Sequence, residues 1–214
     1  MDDESTLSKG EQTRRAILDA ARALFIRQGY AATTMRQISE AVGITAAAIY
    51  NHFAGKEEIF DTLLREAAPL EDLFRLLDVL EGDTTETVVR RLFHGVLDLF
   101  ATHGDYVALS LIDAQERDGA TLVKFIPLMA ARFMALHAKL AALDAGRGEL
   151  RDLPPYVFPR ILISLVAGYL ITERIGKPQT TLNLPETDWA DVLADVFMRG
   201  VLRTKPQINT DKPR

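Results

Sequence analysis

Apolar residues recur every three to four positions along almost the whole chain, which is the spacing of one face of an α-helix. No segment shows the strict alternation that predicts a β-strand. Capping residues, glycines and prolines divide the pattern into helices predicted over residues 8–28, 35–42, 46–52, 56–67, 71–80, 85–100, 105–117, 120–143, 156–175 and 186–203. We therefore predict an all-α protein.

The most specific local pattern lies in residues 33–60. Thr34 and Gln37 form a T-x-x-Q capping box at the start of one short helix. Gly43 can adopt the left-handed conformation that ends this helix. Thr45 can then cap a second helix almost immediately. These signals predict two short helices joined by a tight turn, the arrangement of a helix-turn-helix that binds DNA.

The second of these helices has small residues at its N-terminal end. Helical spacing turns Ile49 and Phe53 towards the core. The residues left outside are Ala46, Ala47, Tyr50 and Asn51. A helix with short side chains at this end can approach base edges closely in the major groove of DNA.

This stretch resembles the DNA-binding region of the TetR/AcrR family of bacterial transcriptional regulators. The resemblance covers about residues 11–64 and is carried by Gly29-Tyr30, Thr33-Thr34, Ile38, Ala41, Val42-Gly43, Ile49-Tyr50-Asn51-His52-Phe53 and Lys56. It implies an N-terminal three-helix DNA-binding domain and a C-terminal helical domain for ligand binding and dimerisation. We place an N-terminal tail at residues 1–10, the DNA-binding domain at 11–55, the second domain at 56–203 and a C-terminal tail at 204–214.

Two sets of side chains are candidates for DNA contact. The first set can donate hydrogen bonds to phosphate oxygens and consists of Thr34, Arg36, Tyr50, His52 and Lys56. Some of these residues match positions that contact phosphate in the family. Base contacts would come from Thr45, Ala46, Ala47 and Asn51. The alternative is that Thr34 only caps its helix and that His52 only packs against Phe53.

Composition limits the other classes of protein. The net charge of −5 argues against nonspecific coating of DNA, although residues 33–56 carry a small positive excess. The absence of cysteine excludes disulfides and thiolate metal ligands. The acidic N-terminus does not fit a secretory signal, and the most apolar piece, residues 161–171, is too short to span a membrane. We expect a soluble cytoplasmic protein.

The C-terminal helices contain candidates for a small-molecule cavity, which the resemblance also implies. Large apolar side chains could form its walls, and a few polar ones could orient a ligand. The candidates are Phe93, His94, Asp113, Phe125, Met129, Phe133, His137 and Tyr169. The simpler alternative is that each aromatic residue belongs to the core. Pro127 would kink its helix and open space there.

The last two predicted helices indicate a homodimer. They are apolar on more than one face, so they need a partner beyond their own core. The residues expected at the interface are Leu165, Gly168, Val192, Val196, Phe197 and Gly200. A two-fold symmetric operator would also require a two-fold symmetric protein. The alternative is burial within one subunit.

We therefore expect a DNA-binding transcriptional regulator, a repressor that a hydrophobic or amphipathic small molecule releases from its operator. No phosphate-binding loop or catalytic motif indicates an enzyme, and the histidine spacing matches no metal-ligand pattern, so we expect neither metal nor cofactor. The alternatives are a helical interaction or structural protein that does not bind DNA, and a helical enzyme acting on small molecules. The identity of the effector and of the operator stays open.

Overall fold

The computed structural model describes residues 8–145, 150–176 and 187–202, with the backbone alone at residues 174–176. The helices in these ranges are α1 (Lys9–Gln28), α2 (Met35–Val42), α3 (Ala46–Ile49), α4 (Lys56–Ala67), α5 (Leu70–Val79), α6 (Thr85–Ala101), α7 (Gly104–Glu116), α8 (Ile126–Leu143), α9 (Val157–Gly176) and α10 (Trp189–Val201). A 3₁₀ turn spans Leu122–Phe125. The described residues contain no strand, and the all-α prediction is confirmed.

The chain forms two compact units. The first contains residues 8–69 and Thr102–Leu128, and the second contains Leu70–Ala101 with the described residues from Met129 onwards. The domain limits proposed above stay predictions. Helix α1 begins at Lys9, inside the predicted N-terminal tail, and the predicted C-terminal tail lies outside the described residues.

Helices α1 to α4 and α7 share the core of the first unit. Ile17, Ile38, Ile49 and Phe60 are fully buried there. Phe25 packs edge-to-face on Phe60, with ring centroids 5.2 Å apart. This core fixes the helix-turn-helix against α1 and α4.

The second unit has its own core, built on α5, α6, α9, α10 and part of α8. Three aromatic rings lie at its centre. Phe197 contacts Phe93 at 5.6 Å and Phe158 at 4.7 Å between ring centroids, in both cases near edge-to-face. Such geometry is favourable because a positive ring edge meets a negative ring face.

Two predicted elements differ from the structure. The helix expected over residues 46–52 ends at Ile49, and the chain turns from Tyr50 onwards. The kink expected at Pro127 is wrong, because α8 begins at Ile126 and so places the proline in its first turn. A proline is tolerated there, since the first N–H groups of a helix have no partner within it.

One described segment, Leu122–Leu143, is long and apolar enough to span a membrane by length and composition alone. This finding corrects the expectation that no segment is long and apolar enough to span a membrane. Two positively charged side chains of this segment, Arg132 and Lys139, contact other residues of the second unit. The guanidinium of Arg132 lies 3.5 Å from the ring centroid of Phe74, and Lys139 Nζ donates to the carbonyl oxygen of Leu80. These contacts place both charges against protein.

Candidate nucleic-acid interface

The turn between α2 and α3 has the capping geometry that its sequence predicts. Thr34 Oγ1 accepts a hydrogen bond from the backbone N–H of Gln37 at 3.2 Å. Gln37 Oε1 accepts in return from the N–H of Thr34 at 2.8 Å. Gly43 ends α2 with φ 76° and ψ 29°, in the left-handed region. Both ends of α2 are therefore fixed by local hydrogen bonds and backbone conformation.

Helix α3 presents a short, exposed N-terminal end. Thr45 Oγ1 accepts from the N–H of Ala48 at 3.2 Å. Ile49 and Phe53 are buried in the first unit, as predicted. The side chains that remain exposed in and beside this helix are Thr45, Ala46, Ala47, Tyr50 and Asn51. All four residues predicted to contact bases thus lie on an accessible surface, and their role stays a prediction.

The predicted phosphate donors occupy different surroundings. Thr34, which caps α2, and Arg36 on α2 are exposed, and His52 is half-buried. Arg36 Nε donates to Glu40 Oε1 at 2.7 Å on the same helix. This ion pair lowers the local positive potential unless phosphate replaces Glu40, so Arg36 offers less free charge than its sequence position suggests.

Lys56 has a structural contact that the sequence does not show. Its ammonium donates to the carbonyl oxygens of Tyr30 at 2.7 Å and Thr33 at 2.8 Å. The same group lies 4.2 Å from the Tyr30 ring centroid. Burial lowers the pKa of Lys56 from its ordinary value, while Glu116 opposes this shift. An ammonium has three N–H donors, and two of them hold the loop before α2. A phosphate contact by Lys56 stays a prediction.

That loop is also held from α7. Glu116 Oε2 accepts a hydrogen bond from the N–H of Ala31 at 2.6 Å. Gly29 has φ 85°, and a Cβ added there would lie 2.5 Å from Glu116 Oε1. The sequence carries no local signal for this contact, because the two partners are 85 residues apart.

A buried ionic network joins α4 to the C-terminal end of α7. The Arg117 side chain is only 5% exposed. It donates to Asp61 Oδ1 at 2.8 Å and to Asp113 Oδ1 at 2.9 Å, and its guanidinium stacks over Phe60 at 4.6 Å. Burial raises the pKa of Asp61, but hydrogen bonds from Lys124, Thr121 and Arg117 outweigh it and lower the pKa to about 2. Asp61 is therefore ionised at neutral pH.

Asp113 serves this network rather than a ligand. Its side chain is fully buried, and Oδ2 accepts from the backbone N–H groups of Thr121 and Leu122 at 3.0 and 2.9 Å. Oδ1 is occupied by Arg117. The structure thus corrects the proposed ligand contact, because both carboxylate oxygens already bind the chain itself.

The other proposed ligand residues are not gathered within one unit. Phe125 lies in the first unit with Asp113, and the remaining six lie in the second: Phe93, His94, Met129, Phe133, His137 and Tyr169. Phe93 is fully buried in the core, which corrects its assignment as a lining residue. His94 lies at the surface and pairs with Asp191, and His137 borders a cavity of about 20 Å³, roughly the space of one water. The effector cavity stays a prediction.

The proposed dimer residues divide into two groups. Val192 and Val196 are 39% and 52% exposed on α10, and Leu165 is half-buried on α9. Gly168 and Gly200 face open space, since a Cβ added at either would meet no atom within 4 Å. Phe197 is fully buried in its own unit, so its assignment to the interface is wrong.

Comparison with known proteins identifies the family. Residues 17–63 match the family model described as bacterial regulatory proteins, tetR family. The chain is 28% identical to the HTH-type transcriptional repressor BepR of Brucella suis over 171 residues, which cover 77% of this chain and 82% of BepR. It is 29% identical to the HTH-type transcriptional repressor AcnR of Corynebacterium glutamicum over 181 residues, covering 83% and 89%.

The fold is similar to that of a solved regulator. The structure of NalD, the secondary repressor of the MexAB-OprM multidrug efflux pump in Pseudomonas aeruginosa, matches with a TM-score of 0.62 and 28% identity. The match covers 91% of this chain and 99% of NalD. These relatives regulate transcription and are not enzymes. The chain belongs to the TetR/AcrR family of bacterial transcriptional regulators and binds DNA through its N-terminal helix-turn-helix.

Proposed function

We propose that this chain is a cytoplasmic, homodimeric repressor that leaves its operator when a hydrophobic or amphipathic small molecule binds. The observation that carries the proposal is the exposed N-terminal end of α3. Thr45 caps this end, and Ala46 and Ala47 give it short side chains. Such a surface fits the major groove closely.

The DNA contacts divide into two kinds in this proposal. Asn51 can read adenine, and the two alanine methyl groups can contact thymine methyl groups. The exposed hydroxyls of Thr34 and Tyr50, together with Arg36, His52 and the remaining donor of Lys56, position the protein on phosphates. The small number of hydrogen-bonding groups at the helix end leaves part of the specificity to DNA shape.

Two observations support repression and its release by an effector: the names of the relatives and the apolar side chains of the second unit. BepR, AcnR and NalD are all named as repressors. Met129, Phe133 and Tyr169 are partly buried on α8 and α9 and offer large apolar surfaces to a ligand. An effector that prefers the conformation with low DNA affinity would weaken DNA binding, and operator DNA would weaken effector binding by the same factor.

The decisive experiment selects fragments of the source genome that bind the full chain and measures affinity for them at several salt concentrations. We expect a defined, two-fold symmetric site and affinity that falls as salt rises, because phosphate contacts release counterions. Tyr50→Phe should weaken binding to the site and to unrelated DNA by a similar factor.

Tyr156→Phe is the matched control, since Tyr156 is also exposed but lies in the second unit. It should bind DNA like the unmodified chain. Failure to select any fragment, or affinity independent of salt, would contradict the proposal.

A further inference from the structure

The second unit brings together three side chains that can bind a metal ion. His94 lies on α6, Asp188 caps the N-terminus of α10, and Asp191 lies in the first turn of α10. His94 Nε2 is 3.3 Å from Asp191 Oδ1 and 4.0 Å from Asp188 Oδ1. One ligand atom from each residue lies within 4.8 Å of the others.

These separations fit ligands that share one ion. With metal–ligand bonds of about 2.1 Å, two ligands at octahedral or tetrahedral angles lie about 3.0–3.4 Å apart. The His94–Asp191 pair already has this spacing. The carboxylate of Asp188, 4.0 Å from His94 Nε2, must move closer to join them, and a side-chain rotation can supply this because its χ2 torsion is broad.

The local charge also favours a cation. Arg90 is paired with Glu86, Asp191 and Asp195, and Asp188 lies nearby. Four carboxylates and one guanidinium leave an excess of three negative charges while His94 is neutral. Arg90 keeps Glu86 and Asp195 when Asp191 turns to a metal, so Arg90 stays paired.

We propose that His94, Asp188 and Asp191 form a site for a divalent transition-metal ion of the Zn²⁺, Co²⁺ or Ni²⁺ class. An imidazole nitrogen with two carboxylate oxygens selects these ions over Mg²⁺ and Ca²⁺, which prefer oxygen alone. The three side chains are half-exposed, so water completes the coordination. The ion joins α6 to the first turn of α10 and stabilises the second unit.

The single tryptophan of the chain, Trp189, directly follows Asp188 and reports on the site. The test titrates the full chain, without an added histidine tag, with Co²⁺ or Ni²⁺ while tryptophan fluorescence is recorded. We expect saturable quenching with one ion per chain, and a thermal midpoint that rises with Zn²⁺ concentration. Mg²⁺ at the same concentrations should produce neither effect.

Three variants decide whether these residues hold the ion. His94→Ala should weaken binding by more than about tenfold, because even outer-shell partners of a metal contribute that much. Asp188→Ser should weaken it as well, while keeping a good N-cap for α10. His103→Ala removes a histidine of the first unit and should bind like the unmodified chain.

Absence of saturable binding in the unmodified chain would overturn the proposal. Equal binding in His94→Ala and in the unmodified chain would also overturn it, provided that operator affinity and circular dichroism show both to be folded. The proposal does not depend on DNA binding or on the effector, so its failure leaves the proposed function intact.

Discussion

Tyr50 and Lys56 are both expected to contact phosphate, yet their side chains have different surroundings. Tyr50 is 56% exposed, and no described hydrogen bond holds its hydroxyl. Lys56 donates to two backbone carbonyl oxygens and stacks on Tyr30. At Tyr50 a substitution can therefore affect DNA binding alone, whereas at Lys56 it must also affect the fold.

We predict that Lys56→Met lowers both stability and DNA affinity. Methionine keeps the aliphatic packing but leaves the carbonyl oxygens of Tyr30 and Thr33 without their donor. Loss of these charged hydrogen bonds should reduce the free energy of unfolding by about 2 kcal/mol. Denaturant unfolding and operator titration measure the two effects, with Tyr50→Phe as the control that should change affinity only. An unchanged salt dependence in Lys56→Met would refute a phosphate contact by this residue.

Asp61 makes stability depend on acid pH. Its pKa falls from the ordinary value of 3.8 to about 2 in the folded chain. Since the folded pKa is the lower one, the ionised carboxylate stabilises the fold above about pH 4, and this contribution is lost as pH falls towards 2. The lowered pKa corresponds to about 2 kcal/mol at neutral pH.

We therefore predict that Asp61→Asn is destabilised relative to the unmodified chain at pH 6 and that the difference shrinks as pH falls below 4. Denaturant unfolding at several pH values measures it. Asp83→Asn, at an exposed carboxylate, is the matched control. A constant difference between pH 6 and pH 3 would contradict the assigned pKa.

At the scale of elements, the turn between α2 and α3 depends on one backbone conformation. Gly43 is left-handed, and no atom lies within 4 Å of a Cβ placed there. Any cost of a side chain at this position is therefore conformational rather than steric. The turn sets the angle at which α3 leaves α2, so it also positions the predicted base contacts.

We predict that Gly43→Ala destabilises the chain by about 1 kcal/mol, the cost of a left-handed residue with a Cβ. Gly10→Ala is the opposite case, because Gly10 lies within α1 and its Cβ would meet only Ser8 Oγ at 3.9 Å. That substitution should stabilise or leave the chain unchanged. Thermal unfolding of both variants provides the test, and equal destabilisation by the two would rule out the backbone explanation.

For the whole molecule, the exposed apolar residues of α9 and α10 are the best support for a dimer. Ile163, Trp189, Val192 and Val196 are each between 39% and 53% exposed. The described part of the second unit leaves about half of each side chain exposed. A second copy of the chain would cover them, and two copies would match a two-fold operator.

We predict that Val196→Glu prevents dimerisation and reduces operator affinity, because the interface would have to bury an unpaired charge. Val79→Glu is the matched control, since Val79 is 66% exposed on α5 and lies outside the proposed interface. Sedimentation of both variants at micromolar concentration measures their assembly. A monomeric unmodified chain, or a dimeric Val196→Glu, would refute this interface.

Signals within a few residues of one another made much of the molecule predictable. The capping pair Thr34–Gln37 and the left-handed Gly43 occur as the sequence indicates. Their physics is local, since each bond closes over three or four residues. The same local pattern predicts an α3 that is too long and places Pro127 inside a helix rather than in its first turn. Hydrophobic spacing does not show where a helix begins or where it ends in a turn.

The sequence by itself determined the all-helical class, the helix-turn-helix and the residues exposed on α3. Only the tertiary structure decided that Lys56 and Glu116 hold the loop before α2, that Arg117 binds Asp61 of α4, and that His94 meets Asp191. The partners of Glu116 and His94 are 85 and 97 residues away. Helical periodicity shows which face of a helix is buried, but the packing of helices against each other selects which side chains meet there.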